Sequence, residues 1–487
     1  MIGHRCRAEA VVLATLVIAA PPAAVVGDGT GGGTAPCIRL SRAGTQVQGD
    51  VRVCPGRYRI ADPGERGVVI AAASGTRIDL GGVTIESGDS VPTRFVGVGI
   101  VSRNVDGVTV LGGVIRGYRY GVRLEGGRNH RISGIDVSGS RRQALHSTET
   151  ATDTLDRLDA ARPDVFEQYG GGILLRGATG GSVTGVTARH AQNGIGLIDA
   201  TGVYVADNDV SDNNGWGVHL YRASHNTIVR NQVSRTRRCL APFADCGAAA
   251  VLLREGSDSN IISDNDLTYS NIAVLVSGAA PLTRGSAGNL VYRNDGSLAT
   301  AAAFVARNIW SIVFLENRVD SAAAGFALAG LSGGTIRGNT VIGARRAAID
   351  ARAGGDNSFE ANALLGGPVG ILVEGSEARA VPSRAYRIDD NLLAGVDQGI
   401  VLKRVTESRV RGNVFDSVGD GLVVDGAGHG TEVSGNVFLR ATGWFIEAPD
   451  LVAGGNYWAT PDAPRAAARV RGRVSVLPWK PASAAGY

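Results

Sequence analysis

The stretch NNGWGVHLYRASHNTIVRNQV, residues 213–233, contains one whole copy of the pattern that decides the fold. Val218 and Leu220 alternate with His219 and Tyr221, a polar turn RASH follows, and a short apolar run around Ile228 ends at Arg230-Asn231. Alternation at period two over so few residues reads as strand, turn, strand, and the runs are too short for helices. The same order recurs along the chain. Asn residues stand at 208, 231, 265, 294, 317, 339, 362, 391, 413 and 436, with spacings of 23, 34, 29, 23, 22, 23, 29, 22 and 23. Glycine followed by an apolar residue keeps step with them at Gly172-Ile173, Gly194-Ile195, Gly217-Val218, Gly325-Phe326, Gly370-Ile371, Gly399-Ile400 and Gly421-Leu422. The unit is therefore about 22 residues with three short strands.

One such unit cannot bury its apolar face. Coiling successive units stacks each strand on its equivalent ~4.8 Å away and closes a continuous core. The expected fold is all-β: a single right-handed parallel β-helix with an Asn ladder and inserted loops. Asn tolerates left-handed backbone at a tight turn, and its amide can bond the Asn of the next coil. With 70 Gly and only 5% aromatic residues among 487, the core is expected to consist of small aliphatic side chains. The longer units place insertions near 140–171, 236–248, 278–290 and 375–386, with a helix expected over Asp153–Ala161. Solenoid loops commonly wall the binding face, because stacked coils alone offer a flat surface.

The first residues, MIGHRCRAEAVVLATLVIAAPPAAVVG, carry a basic start, an apolar run from Ala10 to Ala20 and small residues at Ala23 and Ala24, the pattern of a signal peptide over 1–24. A Gly-rich linker over 25–36, an N-terminal cap over 37–65, the β-helix over 66–458 and a C-terminal cap over 459–487 complete the expected organisation. Export makes disulfides permissible, and the four cysteines left after removal of the leader are paired locally, Cys37 with Cys54 and Cys239 with Cys246. A secreted or periplasmic protein follows, with no membrane span in its mature form. The net charge of +4 is small and the basic residues are dispersed, which excludes a nucleic-acid partner. Oligomeric state is not legible.

The G-I-x-L and G-N-x-I repeats, the opening CPGRYRI…GTRIDLGGVTI and the ending GGNYWATP…VSVLPWK resemble the pectate-lyase-like superfamily of parallel β-helix proteins over roughly residues 66–458. That superfamily includes lyases, polygalacturonases, mannuronan C5-epimerases and a periplasmic copper-handling protein. The resemblance implies a polysaccharide substrate and leaves the chemistry open.

Strand alternation points His219 outward, beside Leu174, Gly196 and Leu252 of neighbouring coils, while Tyr221 aligns with Arg176, Ile198 and Arg254, and Arg222 with Asp199 and Glu255. The small Gly196 is expected to leave a depression lined by this polar cluster. Removing a proton alpha to a uronate carboxylate requires that carboxylate to be neutralised and an acid and a base to lie nearby. His219, Tyr221, Arg222 and Arg254 are accordingly the candidate catalytic residues, and Arg176, Asp199 and Glu255 the candidate substrate-binding ones. The favoured function is uronate β-elimination or C5-epimerisation on an anionic polysaccharide. The epimerase signature Asp-Pro-His-Asp is absent. The alternatives are a glycoside hydrolase using Asp199 and Glu255, ~9.6 Å apart at two coil steps, and a non-enzymatic binding or scaffold protein of the cell envelope. No cofactor is expected: scattered histidines and a single Met leave no copper site, and Asp207, Asp209 and Asp212 are only a weak calcium pattern. His225 and the GHG at 428–430 read as turns.

Overall fold

The computed structural model describes residues 36–158, 165–241, 245–278, 286–376, 383–426, 429–459 and 463–485. The expected signal peptide and most of the linker lie outside them, and residues 37–487 make one unit. Every strand pairing among the described residues is parallel, in two long sheets of 23 and 15 strands and two minor ones. One coil shows the plan. Trp216–Tyr221 lies in the first sheet and Thr227–Val229 in the second. Gln232 forms a lone bridge on the third side, between Asp209 and Asp266. In later coils that third side becomes proper strands, such as Arg318–Asp320 and Thr340–Ile342. Registers match those read from the repeat: Gly196 pairs with His219 and His219 with Leu252, while Tyr221 pairs with Ile198 and Arg254. Both expected disulfides are present, with Cα separations of 4.9 Å for Cys37–Cys54 and 5.9 Å for Cys239–Cys246. No helix among the described residues is long and apolar enough to cross a membrane.

The Asn ladder runs as expected and extends one rung further, to Asn456. Each rung is saturated. The Nδ2 of Asn339 donates to Asn362 Oδ1, Phe314 O and Arg337 O, while its Oδ1 accepts from the backbone N–H and Nδ2 of Asn317. The left-handed residue, however, is the one before each Asn: Asp207, Arg230, Asp264, Arg293 and Glu316 have φ of 50–58°. The corner residue turns the chain so that the Asn amide aims inward. A second, shorter ladder, Asn226 to Asn260 to Asn289, was not recognised in the sequence.

The core departs from the aliphatic expectation. Val218, Leu220, Ile228 and Val233 fill the middle coils, but Phe304 stacks on Phe326 at 5.2 Å, and Phe438 lies between Phe415 at 4.7 Å and Trp458 at 4.8 Å. The repeat concentrates its few aromatic residues at equivalent positions, so they meet face to face, a gain of ~0.5–1.5 kcal/mol per pair beyond burial. Of the helix expected over 153–161, the described part, 153–158, is not α-helical, and 159–161 lie outside the described residues. Asp153 caps a single 3-10 turn, Thr154–Asp156, by accepting from Leu155 N–H at 2.8 Å, and the α-helix is Val165–Tyr169.

Candidate functional site

The strand Trp216–Tyr221 does direct His219 away from the coil core, but no open depression lies above it. The 140–171 insertion crosses this face and sets the Phe166 ring over Gly196, where a Cβ would lie 2.4 Å from Phe166 Cζ. Phe166, Trp216, Leu174, Ile198 and Leu252 form a second apolar cluster outside the sheet. His219 is enclosed by it at 3% exposure, its ring 4.5 Å from Trp216 and 5.6 Å from Phe166. Neither ring nitrogen has a hydrogen-bond partner. Burial, reinforced by the nearby Arg254 charge, pushes the imidazole down to about 3, so it is neutral at physiological pH.

The rest of the predicted cluster is assembled but internally paired. Arg222 forks onto Asp199 at 2.6 and 2.9 Å while its guanidinium stacks 4.8 Å above the Tyr221 ring. Arg254, 4% exposed, donates to Glu255 at 2.8 Å, and Arg176 is bound by Glu167 of the insertion's helix. The two guanidiniums expected to grip a substrate carboxylate are therefore occupied by Asp199 and Glu255. Those carboxylates are equally committed as a hydrolase pair. The calcium pattern is also dispersed: Asp207 pairs with Arg230, and Asp209 and Asp212 with Arg189. His225 sits exposed at a left-handed turn, φ 58°.

What holds the cover down is a polar clasp between distant segments. Gln143 and Gln192 bond reciprocally, backbone N–H to Oε1 at 3.1 Å and side chain to side chain at 3.1 Å. Asn214 Nδ2 reaches Gln143 O at 2.9 Å. The buried Arg238 donates to Asp156 O, Gln143 Oε1 and Asn214 O. Burial opposes charge on Asp156, but hydrogen bonds from Ser147 and His146 outweigh it and hold the carboxyl below its usual range.

Beside this clasp opens a cavity of about 620 Å³ that the sequence reading missed. It lies at the corner where the third side of the coils returns to the first sheet, and Arg142, His190, Asp212, Asn214, Arg235 and Arg237 line it. Asp212 is its one carboxylate. Hydrogen bonds from Arg235, at 2.6 and 3.0 Å, and from Arg189 outweigh partial burial and keep it ionised below the normal carboxylate range. Among the described residues, Arg142 and Arg237 have no carboxylate partner, and Arg237 Nε is buried without a hydrogen bond. The cavity is thus a cationic recess with unused N–H donors. Its only sequence signal is the cluster Arg235, Arg237, Arg238, which becomes a wall only when residue 142 arrives from another part of the chain.

The family model described as "Periplasmic copper-binding protein (NosD)" matches residues 75–311 and 313–463. No curated protein sequence matches the chain. Among solved structures, the double mutant of the periplasmic alginate epimerase AlgG is 13% identical, covering 76% of this chain and 77% of its own, with a TM-score of 0.42. The Yersinia enterocolitica family 28 exopolygalacturonase is 13% identical over 71% and 70%, TM-score 0.38. PfbA, a surface adhesin of Streptococcus pneumoniae, is 13% identical over 82% and 84%, TM-score 0.39.

Proposed function

The chain belongs to the NosD family of periplasmic proteins, and on that premise we propose that it is a periplasmic β-helix that binds an anionic polysaccharide in the corner cavity. The observation that carries the reading is the excess of guanidinium over carboxylate there: among the described residues, Arg142 and Arg237 have no carboxylate partner, beside a single, already neutralised Asp212. Planar guanidinium forks suit carboxylates, and a recess raises their local field.

The family description names copper, and the described residues do not fit it. Among the described residues no three of His, Cys, Asp or Glu converge. Cys37, Cys54, Cys239 and Cys246 are consumed in disulfides. The ring of His130 is engaged by Val108 N–H and Gly126 O, and the single Met is Met1, outside the described residues.

Titration calorimetry with short oligouronates at low salt tests the reading. Arg142→Ala and Arg237→Ala should each weaken binding about two- to fivefold, the worth of a partly exposed charge pair, and added salt should weaken it further. Oligouronate affinity indifferent to both substitutions refutes the cavity as the site.

The second reading, a uronate lyase or epimerase using His219, Tyr221 and Arg254, draws on the orphaned nitrogens of His219 beside Arg254. It requires the 140–171 cover to leave. Unsaturated-uronate absorbance from alginate or pectate, or a changed epimer ratio, would support it, and its loss in His219→Ala would assign the step.

A further inference from the structure

The corner that bears the cavity is a column of left-handed residues, one per coil: His190, Asp212, Arg235, Tyr269, Leu298 and Ser321, with φ between 55° and 61°. Backbone bonds stack them. Arg235 N–H reaches Thr268 O at 2.9 Å, Tyr269 N–H reaches Ser297 O at 3.0 Å, and Leu298 N–H reaches Asp320 O at 2.7 Å. Before and after these coils the same column carries Gly139, Gly343, Gly366 and Gly395. Glycine takes this conformation without the steric cost that a Cβ brings. Bulky side chains there are uncommon and worth explaining.

Tyr269 and Leu298 are the large apolar ones among all left-handed corner residues of the described chain, and they are adjacent. Neither is buried, at 47% and 36% exposure, so packing does not account for them. With Leu240, 39% exposed, they line a second cavity of about 380 Å³. Arg237 lines both cavities, so the cationic recess and the apolar platform meet through one guanidinium.

We propose that the column is a single elongated subsite for a linear uronate-containing glycan lying along the solenoid axis, with a carboxylate on Arg237 and the C–H face of a following sugar ring on Tyr269 and Leu298. The inference rests on the anionic-polysaccharide reading and adds the ligand's direction, length and second contact. Charge complementarity selects an anion at one end. The ~4.8 Å rise between coils is close to one pyranose unit of an extended chain, whereas an extended peptide advances ~3.3 Å per residue and falls out of step with the corners. Tyrosine is suited to the platform because its ring offers an apolar face with a polar tip.

The experiment is calorimetric titration of the full protein with uronate dimer and hexamer, neutral hexasaccharide and poly-glutamate. The probes are repeated on Tyr269→Gly, Leu298→Gly and Arg237→Ala. The hexamer should bind more tightly than the dimer. Each glycine variant should lose about five- to tenfold in hexamer affinity with dimer affinity unchanged and with no drop in thermal midpoint, since glycine relieves the backbone. Hexamer affinity that falls in Arg237→Ala but not in the glycine variants overturns the platform and leaves the anionic reading standing. No uronate binding at any length overturns both. Poly-glutamate bound as tightly, with the same sensitivity to Tyr269→Gly, makes the ligand a peptide and overturns the glycan assignment.

Discussion

Replacing His219 with Leu should make the protein more resistant to acid without weakening it at neutral pH. The imidazole is enclosed by Trp216 and Phe166, and its nitrogens are unpartnered. The next position in the same column, Leu252, is already leucine, and so is Leu174 one coil beyond Gly196 on the other side. In the unfolded chain a histidine titrates near ~6.5, and in the folded protein burial pushes it down to about 3. The folded pKa is depressed, so the unfolded state binds the extra proton between these values. Stability is therefore full above pH ~6.5 and is lost as pH falls toward 3. At ~1.36 kcal/mol per unit, the loss is about 2 kcal/mol at pH 5 and about 5 kcal/mol at the acid limit. Urea unfolding at pH 7.5 and pH 5.0, with hydrogen exchange over residues 216–221 as the local probe, should show His219→Leu lacking about 2 kcal/mol of the wild-type pH dependence. At pH 7.5 the variant should be equal or better, because two desolvated nitrogens, costing ~1–3 kcal/mol, disappear. Identical pH dependence in both proteins would mean that the imidazole is hydrated, and would refute the sealed-face reading.

Other expectations follow from particular contacts. Gly196→Ala should displace Phe166 and cost ~1–3 kcal/mol as overpacking, while in a Phe166→Ala background the same change should cost under ~0.5 kcal/mol. A double-mutant cycle by urea unfolding, with protease cleavage of the 140–170 segment, measures the coupling, and additive costs would show that the ring does not rest on Gly196. Asn339→Ala leaves the Asn317 N–H without its acceptor and removes a side-chain bond to Phe314 O, and should cost ~1–3 kcal/mol. Faster hydrogen exchange should be confined to the coils around residues 317, 339 and 362, since each coil contacts only its neighbours. Exchange altered equally near Asn208 would contradict local coupling.

The β-helix, its register and the pairing of Cys37 with Cys54 and of Cys239 with Cys246 were legible in the sequence because they depend on short-range pattern. Gly196, His219 and Leu252 align whenever a coil of about 22 residues closes on itself, and local loops bring cysteines together. The Asn amide bonds were equally readable, although the residue bearing the left-handed turn was one position earlier than expected. The sequence placed His219 on the outer face but could not say what would cover it. That depends on Arg238 bonding Gln143 across 95 residues, and no repeat pattern predicts where a 30-residue insertion will dock. The candidate site moved for the same reason. Arg142, His190, Arg235 and Tyr269 belong to one corner only after coils and insertion have packed together, so the cationic recess and its apolar extension are products of tertiary structure.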